Sequence, residues 1–383
     1  MGISERYGPI HTLHLGPRGV VMLWDYQAVK EALPDQAEEF SGRGEQAAFS
    51  WLFEGYGASF RDGERAKQLR RFSITTLRNF GVGKRGIEER ILEETHFLLE
   101  ALRGTKGLPF DPTYFLSRTV SNVISSVVFG DRFDYEDKEF PSLLSMCHGV
   151  WGSPGPAPPV QAFTETLSQP GMPERIHEEI DRVIGRNRAP SMEDRIWMPY
   201  TNAVIHEFQR FCDVIPMGLA RRVTRDTQFQ GYTLPKGTEV YPVLGSVLYD
   251  PPQFSSPNTF DPSHFLDGNG QFKKSDAFVP FSIGKRYCFG EMLAIMELFL
   301  FLTSILQNFR FRSPIEPKDI DISPNCRVRR PAPQLRDLPG PALAAPRKQT
   351  GLLGAAWGTE GKGETWGCQG PEPPGTAAGL LLD

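Results

Sequence analysis

At 383 residues, 39% hydrophobic and 23% charged, the chain can bury a large core and is too apolar for wholesale disorder. Its net charge of −4 gives no general basic field and no reason to expect nucleic acid as a partner. The five cysteines, at 147, 212, 288, 326 and 368, form no C-x-x-C pair and no zinc spacing, which argues against a disulfide framework and for a reducing compartment.

Residues 1–9 lack the apolar core of a signal peptide, Arg6 breaks the myristoylation pattern that Gly2 opens, and no run approaches the ~18 apolar residues of a membrane span. Residues 10–15 and 20–24 read as two strands around Gly16-Pro17-Arg18-Gly19, and Asp25 as the cap of a short helix reaching Leu33. The segment F-S-G-R-G-E-Q (40–46) follows. Residues 45–61 are rich in glycine and aromatics, including Phe49 and Phe60, and read as a loop packed by its own side chains. Residues 62–79 form a basic helix with Arg65, Lys67, Arg70, Arg71 and Arg78, ordinarily a solvated face. Helical periodicity returns at 84–102 and 114–129, with Gly104 and Asp111-Pro112 between.

The stretch 149–173 holds Pro154, Pro156, Pro158, Pro159, Pro170 and Pro173, and no long helix passes through it. Beyond it, 174–184 places Ile176, Ile180, Val183 and Ile184 on one side of a helix. Pro199–Cys212 is the next helix, opened by its proline. There Glu207 and Arg210 stand three residues apart, a common surface arrangement in itself. Residues 214–223 read as a strand, 232–237 as a hairpin turning at Pro235-Lys236-Gly237, 238–244 as a strand, and 250–274 as an irregular meander. Residues 331–383, rich in Pro, Gly and Ala without periodicity, read as disordered.

Chemistry concentrates in 278–310. Cys288 lies between Gly284 and Gly290, and a nearly all-apolar helix starts behind it (Leu293, Ile295, Met296, Phe299, Leu300, Ile305, Leu306), the pattern of a helix buried on most sides. A cysteine at the positive end of a helix dipole favours thiolate, and a sheltered thiolate is a good axial ligand for haem iron. The two glycines allow positive φ and close approach of the backbone to a flat macrocycle. Arg286 can reach back to a haem propionate, and Phe281 can shield the sulfur. A lone cysteine before a helix is ordinarily structural. The whole spacing F-x-x-G-x-R-x-C-x-G (Phe281, Gly284, Arg286, Cys288, Gly290) turns the argument toward haem.

That spacing resembles the haem-thiolate signature of cytochromes P450. The wording P-F-S-I-G-K-R-Y-C-F-G-E is similar to microsomal family 2, and the text up to about Phe140 to its A-like subfamily. The resemblance covers 4–140 and 170–325. It implies a mainly α fold with a small β-sheet, haem b held by Cys288, and oxygen insertion from O2 into small apolar substrates. Electrons would come from NADPH-dependent P450 reductase, with cytochrome b5 as a further donor. It implies propionate contacts for Arg43, Arg70, Arg221 and Arg286, substrate contacts for Phe49, Phe60, Ile215 and Leu219, and reductase docking on the outer basic residues of 62–79. Glu207 and Arg210 would lock their helix to a later loop, with His264 of F-D-P-S-H-F as the structural partner.

The same resemblance exposes what this chain lacks. The family carries a distal helix over the haem; at 1.5 Å per residue, about 30 residues make about 45 Å. Residues 149–173 cannot supply that helix or its neighbours, and Thr164-Glu165-Thr166 lacks the glycines of the family's distal motif. The expected organisation is therefore an N-terminal P450 part (1–148), a Pro/Gly-rich junction replacing the central distal helices (149–173), a C-terminal P450 part (174–326) and a tail unlike the family (327–383). The family resides in the endoplasmic reticulum membrane. This sequence starts after the family's anchor would have ended, so a cytoplasmic or peripheral location is the expectation. The alternative to a working monooxygenase is a truncated, inactive variant that only binds haem or a reductase, or folds poorly.

Overall fold

The computed structural model describes residues 2–45, 57–81, 85–108, 110, 112–135, 137, 140, 144, 171–312, 334–337 and 381–382. The fold is mainly helical with a small mixed sheet. Phe49 and nearly all of the 149–173 junction lie outside the described residues.

After helix α1 (Gly2–Tyr7), β1 (Ile10–Leu15) and β2 (Arg18–Leu23) form the expected antiparallel pair, Ile10 facing Leu23. Asp25 caps α2 (Tyr26–Lys30), its carboxylate accepting from the Ala28 amide at 2.8 Å. The α-helix stops short of Leu33. The chain continues through Glu31–Asp35 as a wider π-type turn holding Pro34, which has no amide for an α-helical bond. Helices α3 (Gly63–Asn79), α4 (Arg85–Gly104) and α5 (Pro112–Val128) follow the predicted periodicity. So do α6 (Met172–Val183) and α7 (Pro199–Cys212).

Two expectations change. Only Arg221–Arg222 of 214–223 is strand, β4, because the chain turns through Pro216 and Gly218, which has φ +58°. The hairpin lies earlier, between β5 (Thr227–Phe229) and β6 (Tyr232–Leu234), and turns at Gln230-Gly231. Both turn residues have positive φ, the geometry that matches the twist of paired strands, whereas Pro235–Gly237 only links onward to β7 (Glu239–Pro242). The strand expected over 238–244 is present as β7, and a short helix α8 (Leu244–Leu248) that was not expected follows it.

The larger sheet has the order β1-β2-β7-β4-β3, where β3 is Gly42–Arg43; β2 and β7 run parallel and the other pairs antiparallel. Helix α9 (Glu291–Asn308) runs directly into β8 (Phe309–Arg312). In the tail, Gln334–Asp337 and Leu381–Leu382 pair with β8, while the rest of 327–383 lies outside the described residues.

Two cores result. One joins α4, α5, α6, α7 and α9 through residues such as Ile91, Val123, Ile180, Val204 and Phe299. The other packs the sheet against α2, α8 and the stretch leading to the cysteine loop, through Leu23, Val29, Val240, Phe265 and Val279. Among the described residues α9 is the one helix long and apolar enough to cross a membrane, yet 67% of it is buried inside the protein, as a core helix would be.

The cores are tied by Glu207 and Arg210, both fully buried. Arg210 donates from Nε and Nη2 to the Glu207 carboxylate, each at 2.7 Å, and from Nη1 to the carbonyls of Leu248 and Pro257 at 2.8 and 2.9 Å. Glu207 also accepts from the Asp261 amide at 2.8 Å and from His264 Nδ1 at 3.1 Å. His264 Nε2 meets the Ser255 carbonyl. Both of its partners only accept, an arrangement that suits the imidazolium, in which both ring nitrogens donate. Burial alone would lower its pKa, but the bonds to Glu207 and Ser255 outweigh that and raise it.

We expect Arg210→Leu to cost about 3–5 kcal/mol, because it strands a buried carboxylate. The folded-state pKa of His264 is raised, so its stabilisation is complete below 6.5 and is lost as pH rises through the raised value. Thermal unfolding should therefore show a loss of stability on the alkaline side that His264→Gln removes. An identical pH profile in that variant would refute the assignment.

Candidate cofactor site

The cysteine loop is built by one forced conformation. Gly284 has φ +74°, and a Cβ there would overlap the Leu33 carbonyl, so the loop presses directly on the turn after α2. Gly290 is different: its φ is −88°, and a Cβ there would lie 3.7 Å from Cys288 Sγ, an ordinary contact. The expectation that both glycines supply positive φ holds for Gly284 alone. Between them the Cys288 amide donates to the Phe281 carbonyl at 2.8 Å and Tyr287 N–H to Gly284 at 3.1 Å, which closes the loop.

Cys288 sits just ahead of α9 and is an exposed, free cysteine. The helix-dipole argument predicts a lowered thiol, yet burial is the largest influence and pushes it up. The amides of Gly290 and Glu291 and the charge of Arg70 pull the other way without overcoming it. A bound cation at the sulfur would reverse that balance, since a coordinated thiol is deprotonated. Among the described residues there is no group of three or more His, Cys, Asp or Glu side chains placed to hold a metal ion.

Four arginines converge beside the loop from four chain segments. Arg43 on β3 and Arg221 on β4 are direct cross-strand partners, only 5% and 2% exposed. Like charges directly opposite repel, and burial sharpens the repulsion. Burial pushes Arg43 down to about 10, helped by Arg286 and opposed by Asp62. Arg221 is also lowered by burial, then by Arg43, Arg286 and Arg70, with no acid opposing. Arg221 donates from Nη2 to Ser282 Oγ at 3.0 Å, while its buried Nε has no partner among the described residues.

The others are tethered by protein groups. Arg43 Nε donates to the Ser59 carbonyl at 2.8 Å, with long 3.5 Å contacts from Nη1 to Leu219 and Ala220. Arg70 on α3 bonds the Tyr287 carbonyl and lies over the rings of Tyr287 and Phe289 at 5.1 and 5.4 Å. Arg286 donates to the carbonyls of Ser41 and Arg61 and to Asp62 Oδ1, at 2.8, 3.0 and 2.8 Å.

The set fits haem. An orphaned buried donor and two facing buried cations call for a compact dianion, and the propionates of a haem supply one. The loop that places Cys288 is braced by the same arginines. Phe60, Ile215 and Leu219 are half-buried, and Leu219 borders Arg43 through its carbonyl.

Sequence reasoning missed four contributors. Gly42 and Gly44 flank Arg43 because added Cβ atoms would overlap the Arg222 carbonyl and come within 2.7 Å of Ala220 Cβ. The glycines around a lone arginine in G-R-G were the available signal. Ser282, at φ +60°, holds Arg221. Asp62 was read only as a helix start; its acidity beside a basic helix was the clue.

Residues 1–152 and 161–335 match the family model described as "Cytochrome P450". The chain is 56% identical to "Cytochrome P450 2A13" of Homo sapiens and to "Cytochrome P450 2A3" of Rattus norvegicus, and 55% identical to "Cytochrome P450 2A6" of Homo sapiens. Each alignment spans 417 positions and covers 85% of this chain and 84% of the relative. Since 417 exceeds the 383 residues available, the relatives carry internal residues without counterpart here.

We expect Gly284→Ala to destabilise the loop by ~2 kcal/mol or more, through overlap and positive φ together. Gly290→Ala should stay within ~1 kcal/mol of wild type. Thermal unfolding of the two variants checks the contrast, and equal losses would contradict the loop geometry.

Proposed function

The chain belongs to the cytochrome P450 family, and from that premise we propose that Cys288, Arg43, Arg70, Arg221 and Arg286 seat its haem b. The function is haem-thiolate monooxygenation: one atom of O2 enters a small apolar substrate, with electrons from a flavoprotein reductase. The bound haem would supply oxygen activation, made easier by electron density from the Cys288 thiolate.

The chain's own residues would do the rest. Gly284 fixes the loop so that Cys288 projects from the start of α9, and the Gly290 and Glu291 amides steady the sulfur. Phe281 anchors the loop through its carbonyl and borders the ligand. Arg43 and Arg221 hold the propionates from the sheet, Arg70 and Arg286 from the helix and loop. Phe60, Ile215 and Leu219 would line the substrate side, with Phe49 the further substrate contact that the resemblance implies. Arg65, Lys67, Arg71 and Arg78, exposed on α3, offer a cationic face to an acidic NADPH-dependent reductase and to cytochrome b5. The endoplasmic reticulum membrane is the compartment in which such donors meet the family.

A second reading starts from the break in the family match at 153–160 and from the internal residues that the relatives carry and this chain lacks; it assigns those residues to the junction at 149–173. The junction then stands where the distal helices belong, and the chain binds haem without controlled oxygen insertion. Water reaching an open distal face favours uncoupled oxygen reduction over substrate oxidation.

The buried Arg43–Arg221 pair with its bare Nε, beside Cys288, carries the proposal. The test is the reduced, carbon-monoxide-bound difference spectrum of the haem-loaded chain. Wild type should give a thiolate-type band and Cys288→Ser should lose it. Arg221→Met should weaken haem retention about tenfold or more, the scale of one charge-assisted bond. A wild-type band typical of imidazole or water ligation would sink the assignment. Turnover of a small apolar substrate with reductase then separates the two readings, the second giving haem binding without product.

A further inference from the structure

One carboxylate gathers the segments that carry three of the four arginines. Asp62 stands at the first turn of α3 as its N-cap residue, yet its side chain caps nothing in the helix. Its Oδ1 instead accepts from the Arg43 amide at 2.5 Å and from Arg286 Nη2 at 2.8 Å. β3, the start of α3 and the cysteine loop therefore meet on a single oxygen. The Arg286 side chain is 9% exposed and that of Asp62 39%, so the acid approaches the cluster from its solvent side. It is the acid that opposes the lowering of both Arg43 and Arg286.

This geometry divides the labour. Arg286 spends Nε and Nη1 on the Ser41 and Arg61 carbonyls, and both bonds pull the cysteine loop toward β3 and α3. The third bond, to Asp62, is the charge-assisted one and sets the plane of the guanidinium. The Arg43 amide on the same oxygen fixes the height of β3 against that plane. The sheet-borne pair is left facing inward with the orphaned Arg221 Nε. Without Asp62, Arg43 and Arg286 keep only neutral carbonyl partners while repelling each other.

We propose that Asp62 is the positioning residue of the haem site: through one oxygen it sets the Arg286 guanidinium and the Arg43 strand so that the arginine cluster meets the propionates in register with Cys288. The proposal rests on the haem assignment above.

The test compares wild type, Asp62→Asn and Asp62→Ala in the full, haem-loaded chain, following haem transfer to excess apomyoglobin. Asp62→Ala should lose haem tenfold or more faster. Asp62→Asn keeps an acceptor oxygen in place and should restore most of the retention with a thiolate-type spectrum, a rescue that charge balance alone would not give. Wild-type retention in Asp62→Ala overturns the proposal, as does an Asp62→Asn variant no better than Asp62→Ala. If wild type takes up no haem, the haem assignment itself has failed, and hydrogen exchange in the haem-free chain decides. Faster exchange of the 282–288 amides in Asp62→Ala than in Asp62→Asn then supports the clasp, and equal protection in all three chains overturns it.

Discussion

The repulsion between Arg43 and Arg221 is the constraint on which the site depends. Two guanidiniums facing each other across a ladder, both almost wholly buried, do not stabilise a sheet. Natural folds keep such an arrangement where an anion completes it. Much of the surrounding geometry accommodates it: Gly42 and Gly44 let the strands close, Ser282 takes one Arg221 donor, and Arg286 is held off by carbonyls and by Asp62. The cysteine loop is braced by the same contacts, so the place of the sulfur and the place of the cations are one structural fact.

The second buried charge system, Glu207–Arg210–His264, solves the opposite problem. Every donor and acceptor there is matched within the protein, so the lock holds without a ligand. It fixes α7 to the 255–264 segment and thereby joins the helical core to the sheet core. The Glu207 system is closed, whereas the arginine pair leaves Arg221 Nε without a partner among the described residues.

How much was legible in the sequence follows from the range of the interactions. Helices with strong periodicity, such as Arg85–Gly104 and Pro199–Cys212, were readable because their signal is local. The strand over 214–223 failed because apolar residues at 214–219 mimic one, while Gly218 turns the chain under contacts from Pro242 that no local pattern reveals. The cysteine loop was readable because its chemistry is compressed into ten residues. The need for positive φ at Gly284 but not at Gly290 was not, since it comes from Leu33, far away in the chain. The partners of Asp62 were unreadable for the same reason: Arg43 and Arg286 lie on other segments.

The two halves of the molecule differ in how completely they satisfy themselves. The described contacts around the cysteine loop and the arginine cluster come from residues 33–43, 59–70, 219–222 and 281–291, all inside the matched parts of the chain. Elsewhere, α5 leaves Val120, Ile124 and Val128 exposed at successive turns, with Phe129 beyond them at 74% exposure. Apolar residues four apart make a stripe that ordinarily meets a neighbouring element. On α9, the Glu297 carboxyl is buried, pushed up to about 8 and without a partner for Oε1, and Ser304 two turns on leaves its hydroxyl unpaired. Among the described residues these are an exposed apolar stripe and unpaired buried polar atoms, and they fall in a chain shorter than its own alignment with its relatives.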